Sequence, residues 1–254
     1  MGLPEADCRA IAAAALALAE VRPGDRHDLV LEIGAGTGTI GRWFLDAPAR
    51  YVGLDLSRGM LEVFRHLPGV SGARGAGLVQ ADGARPWPLP DGAARLVFSS
   101  RAIHLLPLEH VVSEVLRVLA KEGGALVLGW IERPPENVKA RMSKQMRQLM
   151  RARGFSPRTS GSRRLLEAFR ERGATELPRR AIVRWPVRPS PRESLERWRG
   201  KIGLGGSVLP TGMQEQVLGD LEAWAAATFG DLDRMQASEE AYVLEGVRLP
   251  GERD

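Results

Sequence analysis

The sequence predicts an α/β fold in which helices cover a mostly parallel sheet. Two observations indicate it: short apolar segments alternate with amphipathic segments over the first half of the chain, and the first apolar segment breaks into a run of glycines. Apolar strands that alternate with helices are typical of βαβ units. In chain order, the sequence predicts a helix over 9–20, a strand over 29–33, a helix over 38–45, a strand over 51–55, a helix over 57–67, strands over 77–80 and 95–99, a helix over 108–119 and a strand over 125–130.

The pattern changes after Trp130, where longer helical segments take over. Met142, Met146 and Met150 stand four residues apart, a spacing that indicates the packed face of a helix. The sequence predicts helices over 137–153 and 162–172, strands over 181–185 and 241–249, and two further helices that begin at the capping boxes Ser190–Glu193 and Thr211–Gln214.

Composition limits the classes of protein that remain. The 254-residue chain is 44% hydrophobic, which suffices for one domain with a sizeable core. Its longest apolar run, 10–19, is about half of the roughly 20 residues that a membrane-spanning helix needs. The start lacks the features of a secretory signal, and the single cysteine, Cys8, excludes an internal disulfide. We therefore expect a cytoplasmic protein, and since no His, Cys and Asp cluster has metal-ligand spacing, we predict no metal site.

The net charge of +5 is unevenly distributed. Nine basic residues and no acidic residue lie in the segment 139–164, so the rest of the chain is net negative. Three interpretations stay open for this basic segment: it attracts an anionic small molecule, it contacts nucleic-acid phosphate, or it is a solvated helix face. Phe155 is its one aromatic residue, so the stacking platforms of a single-strand binder are missing and nucleic acid is the less favoured partner.

The most informative stretch is the strand 29–33 and the glycines after it, at positions 34, 36 and 38. Glycine lets the backbone turn sharply and approach a ligand with no Cβ in the way, and a following helix can aim free N–H groups at that ligand. About 20 residues on, a second strand ends at Asp55, an acidic residue placed to bind a ribose. Together they predict a nucleoside-cofactor site at the carboxyl edge of the sheet.

A literal dinucleotide-binding motif, Gly36-Thr-Gly-Thr-Ile-Gly41, also occurs here, but in a different register. The first glycine of that motif makes the turn directly after the strand. In this chain Gly34 has that place, and the third glycine position counted from it falls on Thr39. A nicotinamide cofactor is therefore a distant alternative.

What remains is Glu-x-Gly-x-Gly-x-Gly, which resembles motif I of the class I S-adenosylmethionine-dependent methyltransferases. Four later segments resemble the same family in the same order, and most closely its small-molecule branch (type 11), which includes quinone-biosynthesis methyltransferases. They are Val52–Leu61, Val79–Gly83 with Trp87–Asp91, Leu96–Leu105 and Val115–Leu128. The resemblance implies a Rossmann-like, seven-stranded, mostly parallel sheet with an antiparallel last strand. It also implies S-adenosyl-L-methionine as the cofactor of an enzyme that methylates a small molecule.

The resemblance implies roles for the residues of the glycine turn. The backbone at Gly34, Ala35, Gly36 and Gly38 would run along the methionine part of the cofactor. Glu32 would help to place the ammonium group, directly or through water. A plain tight turn is the alternative interpretation.

Six more residues are implied to bind the cofactor. Asp55 would accept both ribose hydroxyls, although an acid before Ser57 also fits a helix cap, and Asp82 would accept from the adenine amino group, although it also fits a plain Asp-Gly turn. The remaining four are Leu56 and Met60 against the adenine, Gly83 beside Asp82, and Ser99 facing the methionine carboxyl or the methyl group.

The acceptor side is less readable from the sequence. His104 follows the fourth strand, where the family's residues approach the methyl group, and a histidine suits a general base near neutral pH. A histidine that only packs and hydrogen-bonds there is the alternative. We assign candidate acceptor contacts to Arg101, Arg147 and Arg151.

We expect one methyltransferase domain over residues 1–254. Its core would comprise about 21–131, 174–189 and 240–250, and the insertions at about 132–162 and 190–236 would form a helical cap over the active-site edge. Alternatives are an RNA or protein methyltransferase, and a non-catalytic partner protein that binds S-adenosylmethionine. The acceptor atom and the oligomeric state are not predicted.

Overall fold

A computed structural model describes residues 3–22, 28–46, 50–73, 75–121, 123–156 and 161–250. The chain divides into two compact units. The first comprises Met1–Trp130, Ser160–Val183 and Tyr242–Asp254, and the second comprises Ile131–Thr159 and Arg184–Ala241. The second unit contains most of both predicted insertions, while their arrangement as a cap stays a prediction.

The described residues include seven α-helices and seven strands. The helices are α1 (Glu5–Leu18), α2 (Arg58–Arg65), α3 (Leu108–Val118), α4 (Val138–Ala152), α5 (Gly161–Arg170), α6 (Pro191–Arg199) and α7 (Met213–Phe229). The strands are β1 (Leu29–Ile33), β2 (Arg50–Asp55), β3 (Ala76–Gln80), β4 (Leu96–Ser100), β5 (Ala125–Glu132), β6 (Thr175–Val187) and β7 (Ser238–Arg248). Two short 3₁₀ helices span Gly41–Asp46 and Ile103–Leu105.

The strands form one sheet in the order β3-β2-β1-β4-β5-β7-β6. Strand β1 is buried along its whole length and pairs in parallel with β2 and β4, with Leu29 opposite Arg50 and Val30 opposite Leu96. The chain leaves β1 towards β2 and β3 and then returns to β4 on the other side. This reversal is a topological switch point, where ligands of open α/β sheets bind at the carboxyl ends of the strands.

The last strand is antiparallel to its neighbour β5. The N–H of Leu249 donates to the carbonyl of Gly124 (2.9 Å), and a Cβ at Gly246 would lie 2.2 Å from the carbonyl oxygen of Leu126. Residue numbers therefore rise from 246 to 249 along the last strand while the numbers of the residues opposite fall from 126 to 124, as antiparallel pairing requires. The predicted Rossmann-like α/β fold with an antiparallel last strand is therefore confirmed.

The structure corrects three details of the sequence prediction. An α-helix was expected over 38–45, but the chain forms a turn and then the 3₁₀ helix Gly41–Asp46, because Gly38 adopts φ +77°. The sixth strand was expected at 181–185 and extends over Thr175–Val187. Thr211 was expected to cap a helix, but Gly212 occupies the N-cap of α7, and Gln214 instead accepts from the N–H of Gly203 (2.9 Å).

The second unit packs around the methionine face of α4. Met142, Met146 and Met150 are at most 3% exposed and belong to one apolar cluster with Leu221 of α7 and Leu195 of α6. Asn137 caps α4 by accepting from the N–H of Lys139 (2.9 Å). The predicted packing role of these methionines is confirmed. Among the residues that the structure describes, no helix is long and apolar enough to cross a membrane.

Candidate functional site

The glycine turn lies at the carboxyl end of β1. Gly34, Gly36 and Gly38 all adopt positive φ (+77°, +55° and +77°), a region that side-chain-bearing residues rarely enter. A Cβ at Gly34 would also lie 2.1 Å from the Cβ of Ala102, so the turn has no room for a side chain there. The N–H groups of Gly34 and Ala35 both donate to the carbonyl of Leu54 (2.9 and 3.0 Å), which ties the turn to β2.

Asp55, at the end of β2, contacts this turn directly. One carboxylate oxygen accepts from the N–H of Gly36 (2.8 Å), and the other accepts from the N–H of Ser57 (2.8 Å) at the start of α2. An ionised carboxylate offers about four acceptor positions, so acceptor capacity remains on both oxygens. The partly exposed carboxylate can therefore hold the turn and still accept from a pair of hydroxyl groups.

Two apolar side chains stand exposed next to Asp55. Leu56 is 68% exposed and Met60 is 48% exposed. A Cβ at Gly36 would lie 3.9 Å from the Met60 sulfur, so this side chain reaches back to the glycine turn. The structure thus brings Gly36, Asp55 and Met60 together at one edge that presents both polar and apolar groups.

Glu32 lies beneath the turn and not on its surface. It is 2% exposed, and its carboxyl accepts from the hydroxyl of Tyr51 (2.5 Å), which is fully buried. Burial, the largest cause, raises the pKa of Glu32, the hydrogen bond from Tyr51 lowers it in part, the charge of Asp55 raises it, and the resulting pKa is about 8. The protonated form of this carboxyl is therefore favoured near neutral pH.

The loop after β3 holds the second predicted acid. Asp82 is exposed, and one of its oxygens accepts from the N–H of Ala84 (2.9 Å) within a turn. The carbonyl of Gly83 accepts from the indole N–H of buried Trp87 (3.0 Å). Trp87 therefore anchors the loop, while the second oxygen of Asp82 has no bond within the described chain.

Ser99 is buried at 1% exposure near the end of β4. Its hydroxyl donates to the carbonyl of Ile33 (2.8 Å) and accepts from the N–H of Ile103 (3.1 Å). These two bonds join β1, β4 and the following 3₁₀ helix. His104 lies on that 3₁₀ helix with an exposed side chain.

Arg101 directly follows β4 and has an unusual backbone. It adopts φ +59°, the left-handed region that favours glycine, and its side chain is exposed. The preceding Ser100 accepts from the hydroxyl of buried Tyr242 (2.6 Å). Strained backbone conformations cluster at functional sites and persist where surrounding contacts hold them. Arg101 therefore belongs with the candidate site residues on conformational grounds as well.

Arg147 and Arg151 lie on α4 in the second unit. Arg147 lines an open pocket of about 670 Å³, and Arg151 is exposed and does not line it. Burial, together with the positive charge of Arg151, lowers the pKa of Arg147. Among the described residues, no group of three or more His, Cys, Asp or Glu side chains could hold a metal ion.

Sequence reasoning missed Tyr51 and Tyr242, the buried tyrosines behind the turn and behind Ser100. The sequence signal for these buried tyrosines was a glycine inside a strand, in β2 and again in β5. A Cβ at Gly53 would lie 2.8 Å from the Tyr51 hydroxyl, and a Cβ at Gly129 would lie 2.2 Å from that of Tyr242. Glycine within a strand often marks the close approach of another group.

Comparison with known proteins finds a family match over the part of the chain that contains these candidate residues. The methyltransferase domain family matches residues 30–123, which contain the glycine turn, Asp55, Asp82 and His104. A demethylmenaquinone methyltransferase from Thermobifida fusca (strain YX) is 36% identical over 104 residues. That alignment covers 40% of this chain and 42% of the relative, so the chain spans less than half the length of the curated relative that it matches.

Two solved structures share the fold over almost the whole chain. A protein from Bacillus halodurans C-125 with the provisional name methyltransferase has a TM-score of 0.60 at 20% identity and covers 94% of this chain and 98% of its own. The geranyl diphosphate C-methyltransferase of Streptomyces coelicolor A3(2), solved with Mg²⁺, geranyl diphosphate and S-adenosyl-L-homocysteine, has a TM-score of 0.52 at 16% identity. It covers 95% of this chain and 80% of its own. At these identities the likeness concerns the fold.

Proposed function

Because residues 30–123 carry a methyltransferase domain of the class I, S-adenosylmethionine-dependent family, we propose that this protein transfers a methyl group from S-adenosyl-L-methionine to a small molecule. The observation that carries the proposal is the junction of the glycine turn with Asp55. There the backbone is open to a ligand, and a carboxylate with remaining acceptor capacity stands beside it.

The residues of this edge fit the cofactor. Asp55 accepts from the ribose hydroxyls, Leu56 and Met60 cover one face of the adenine, and Asp82, beside Gly83, accepts from the adenine amino group. The backbone at Gly34–Gly38 lies along the methionine part. When bound, the sulfonium supplies a methyl group that is already activated, so the protein has to align the acceptor and exclude water.

Glu32 and Ser99 support the site from below in this proposal. Both side chains are buried, and both have hydrogen bonds within the protein. A protonated Glu32 is a weaker partner for an ammonium group than a carboxylate, so its effect on the cofactor comes through the position of the turn. Direct contact of either side chain with the cofactor stays a prediction.

On the acceptor side, we assign His104 as general base and Arg101 as a contact for an acceptor anion. His104 is exposed just beyond the end of β4, the strand next to β1 at the switch point. The names of two similar proteins, a demethylmenaquinone methyltransferase and a geranyl diphosphate C-methyltransferase, support a small molecule as the acceptor. Its negative charge is proposed from the basic segment 139–164, including Arg147 and Arg151. We place the reaction in the cytoplasm on the basis of composition.

Calorimetry with S-adenosylhomocysteine and with NAD tests the cofactor. We expect the first to bind and the second not to bind. Asp55→Ala should weaken binding of S-adenosylhomocysteine by about 1–3 kcal/mol, the scale of hydrogen bonds to a charged group. Asp231→Ala is the matched control, because it removes an exposed carboxylate of the second unit that, like Asp55, accepts from the N–H two residues further on. Binding of NAD alone would contradict the proposal.

Methyl transfer to a panel of phenols, thiols and amines tests whether the chain is an enzyme. His104→Ala should lower kcat for a hydroxyl acceptor by about 10²–10⁴-fold, the range of a positioned base, and leave S-adenosylhomocysteine binding unchanged. If cofactor binds but no acceptor is methylated, the alternative of a non-catalytic partner protein gains support. A variant with the wild-type kcat removes His104 from the mechanism.

A further inference from the structure

We propose that the second unit binds a small organic anion with an aromatic or apolar body in the pocket beside α4. This α4 pocket, of about 670 Å³, is lined by Arg141, Lys144, Gln145, Arg147, Gln148 and Trp224, among others. Ligand pockets for small molecules usually measure about 300–1,000 Å³. The residue spacing explains the lining, since positions 141, 144, 145 and 148 share one side of a helix whose opposite side carries the buried methionines.

Several other cations of the same unit are paired with carboxylates. Arg133 and Lys139 both contact Glu240 (2.9 and 3.1 Å), and Arg192 contacts Glu222 (2.8 Å) and Asp233 (3.3 Å). Arg153 likewise forms an ion pair with Asp220.

Within the described part of the chain, Lys144 and Arg147 have no carboxylate within 4.0 Å. The guanidinium of Arg141 lies over the ring of Phe229, 4.5 Å from its centroid. Glu136 is the acidic residue among those that line the pocket. The α4 pocket therefore carries an excess of positive charge that the unit's own acids do not neutralise.

This arrangement disfavours the unliganded helix slightly. Lys144 and Arg147 are three residues apart, and Arg147 and Arg151 are four apart, so like charges face each other along α4. Burial, the larger cause, and the charge of Arg151 also lower the pKa of Arg147. A bound anion would reverse both effects.

The other lining groups indicate an organic anion. Trp224 offers an aromatic surface, and Gln145 and Gln148 offer amide groups that hydrogen-bond to polar substituents. Two neighbouring cations suit a doubly charged group such as a phosphate monoester. Single-stranded nucleic acid is less favoured, because several aromatic platforms usually serve successive bases and Trp224 is the aromatic lining residue here.

The proposal deepens the proposed function, on which it rests for the ligand's role as methyl acceptor. The binding itself does not depend on that role. It can therefore be measured on the full chain without cofactor and without methyl transfer.

The test is calorimetry with 1-naphthyl phosphate as the probe, compared with 1-naphthol and with inorganic phosphate. We expect the phosphate ester to bind at least about 10-fold more tightly than either fragment, because it makes both kinds of contact. Lys144→Gln and Arg147→Gln should each raise its Kd by about 5- to 10-fold, and the double variant by at least about 20-fold. Higher salt should weaken binding.

Arg197→Gln with Lys201→Gln is the matched control, because it removes one arginine and one lysine from exposed positions of the same unit that do not line the pocket. Its Kd should stay within about twofold of the wild type. Trp224→Leu should raise the Kd for 1-naphthyl phosphate but not that for inorganic phosphate, which separates the aromatic contact from the charge.

Two results would overturn the proposal. One is a wild-type Kd in the Lys144, Arg147 double variant; the other is a wild-type chain that binds single-stranded RNA but not the probe. S-adenosylhomocysteine binding, measured on the same samples, keeps the proposals apart. If the wild-type chain does not bind S-adenosylhomocysteine, the proposed function is contradicted. If the double variant binds S-adenosylhomocysteine as the wild type does, the variant is folded.

Discussion

The cofactor edge of the sheet and the α4 pocket are both assigned polar ligands, but they are built from different parts of the chain. The cofactor edge is the glycine turn 34–38 with Asp55, where the backbone itself forms part of the proposed binding surface and Gly34, Gly36 and Gly38 adopt positive φ. In the α4 pocket, long side chains project from a regular helix whose backbone is hydrogen-bonded to itself. The first site is therefore part of the fold, and the second is carried on its surface.

The difference extends to one buried glutamate of each unit, Glu32 and Glu240. Glu32 of the first unit has a tyrosine as its partner and a raised pKa, whereas Glu240 of the second contacts Arg133 and Lys139. Burial raises the pKa of Glu240, but these two cations outweigh it, and the pKa is lowered. Substitutions at the cofactor edge should therefore change stability and binding together, while those in the α4 pocket should change binding with only a small change in stability.

The largest effect is expected from Gly34→Ala. The added methyl group meets Ala102 at 2.1 Å and also forces alanine into φ +77°. Left-handed backbone costs about 1–2 kcal/mol and overpacking about 1–3 kcal/mol, so the free energy of unfolding should fall by about 2–5 kcal/mol. Urea unfolding measures this, and calorimetry should show that S-adenosylhomocysteine binding is lost.

Gly72→Ala is the control for backbone strain. Gly72 adopts φ +84°, but a Cβ there meets no atom within 4 Å. Its substitution should cost about 1–2 kcal/mol and leave cofactor binding intact. Equal costs at the two positions would show that strain alone, and not the contact with Ala102, makes glycine necessary at the turn.

The next effect is a pH dependence set by Glu32. Between its ordinary pKa of 4.5 and its folded pKa of about 8, the folded chain holds a proton that the unfolded chain has lost. Stability contributed by the protonated form is therefore lost as pH rises through this window, on the order of 1 kcal/mol per pH unit. Glu32→Gln should flatten the profile of unfolding free energy between about pH 5 and pH 8.

Glu240→Gln is the matched substitution in the other unit, since Glu240 is also buried, at 4% exposure. Because the pKa of Glu240 is lowered in the folded chain, its ionised form contributes stability above the ordinary pKa of 4.5. That stability is lost as the pH falls through the lowered pKa of the folded chain. Glu240→Gln should therefore shift the profile from pH 5 to pH 8 by a constant amount. If both variants keep the wild-type slope, Glu32 is ionised in the folded chain and the comparison of the two glutamates fails.

The sequence was sufficient for the sheet and for the glycine turn at its edge, because these depend on local rules. The spacing of Gly34, Gly36 and Gly38 and the position of Asp55 at a strand end report backbone geometry directly. The methyltransferase domain family matches residues 30–123, which agrees with the predicted class I methyltransferase and its cofactor, S-adenosylmethionine. The individual contacts with the cofactor stay predictions.

The sequence was not sufficient for groups that meet only after folding. Tyr51 lies 19 positions from Glu32, and Tyr242 lies 142 positions from Ser100, so neither pair follows a local spacing. The 3₁₀ helix after the turn was mistaken for an α-helix because the apolar pattern there fits both. The pairing of basic residues was equally unreadable, and only the structure separates Arg153, which contacts Asp220, from Arg147.

The smallest effect is expected from Arg147→Gln, and the sharpest test compares it with substitution of its neighbour on α4, Met146. Met146 is 3% exposed and packs in the core of the second unit, whereas Arg147 lines the α4 pocket. Met146→Ala should lower the free energy of unfolding by about 2–5 kcal/mol, as loss of a buried methionine does. Arg147→Gln should instead raise it by about 0.2–0.5 kcal/mol, because it removes like-charge contacts along the helix. Urea unfolding at low and at high salt measures both, and the gain from Arg147→Gln should vanish at high salt since it is electrostatic. If Arg147→Gln destabilises the chain as much as Met146→Ala does, then the guanidinium is part of the core packing. The α4 pocket would then couple stability to binding as the cofactor edge does, and the distinction between the two regions would be lost.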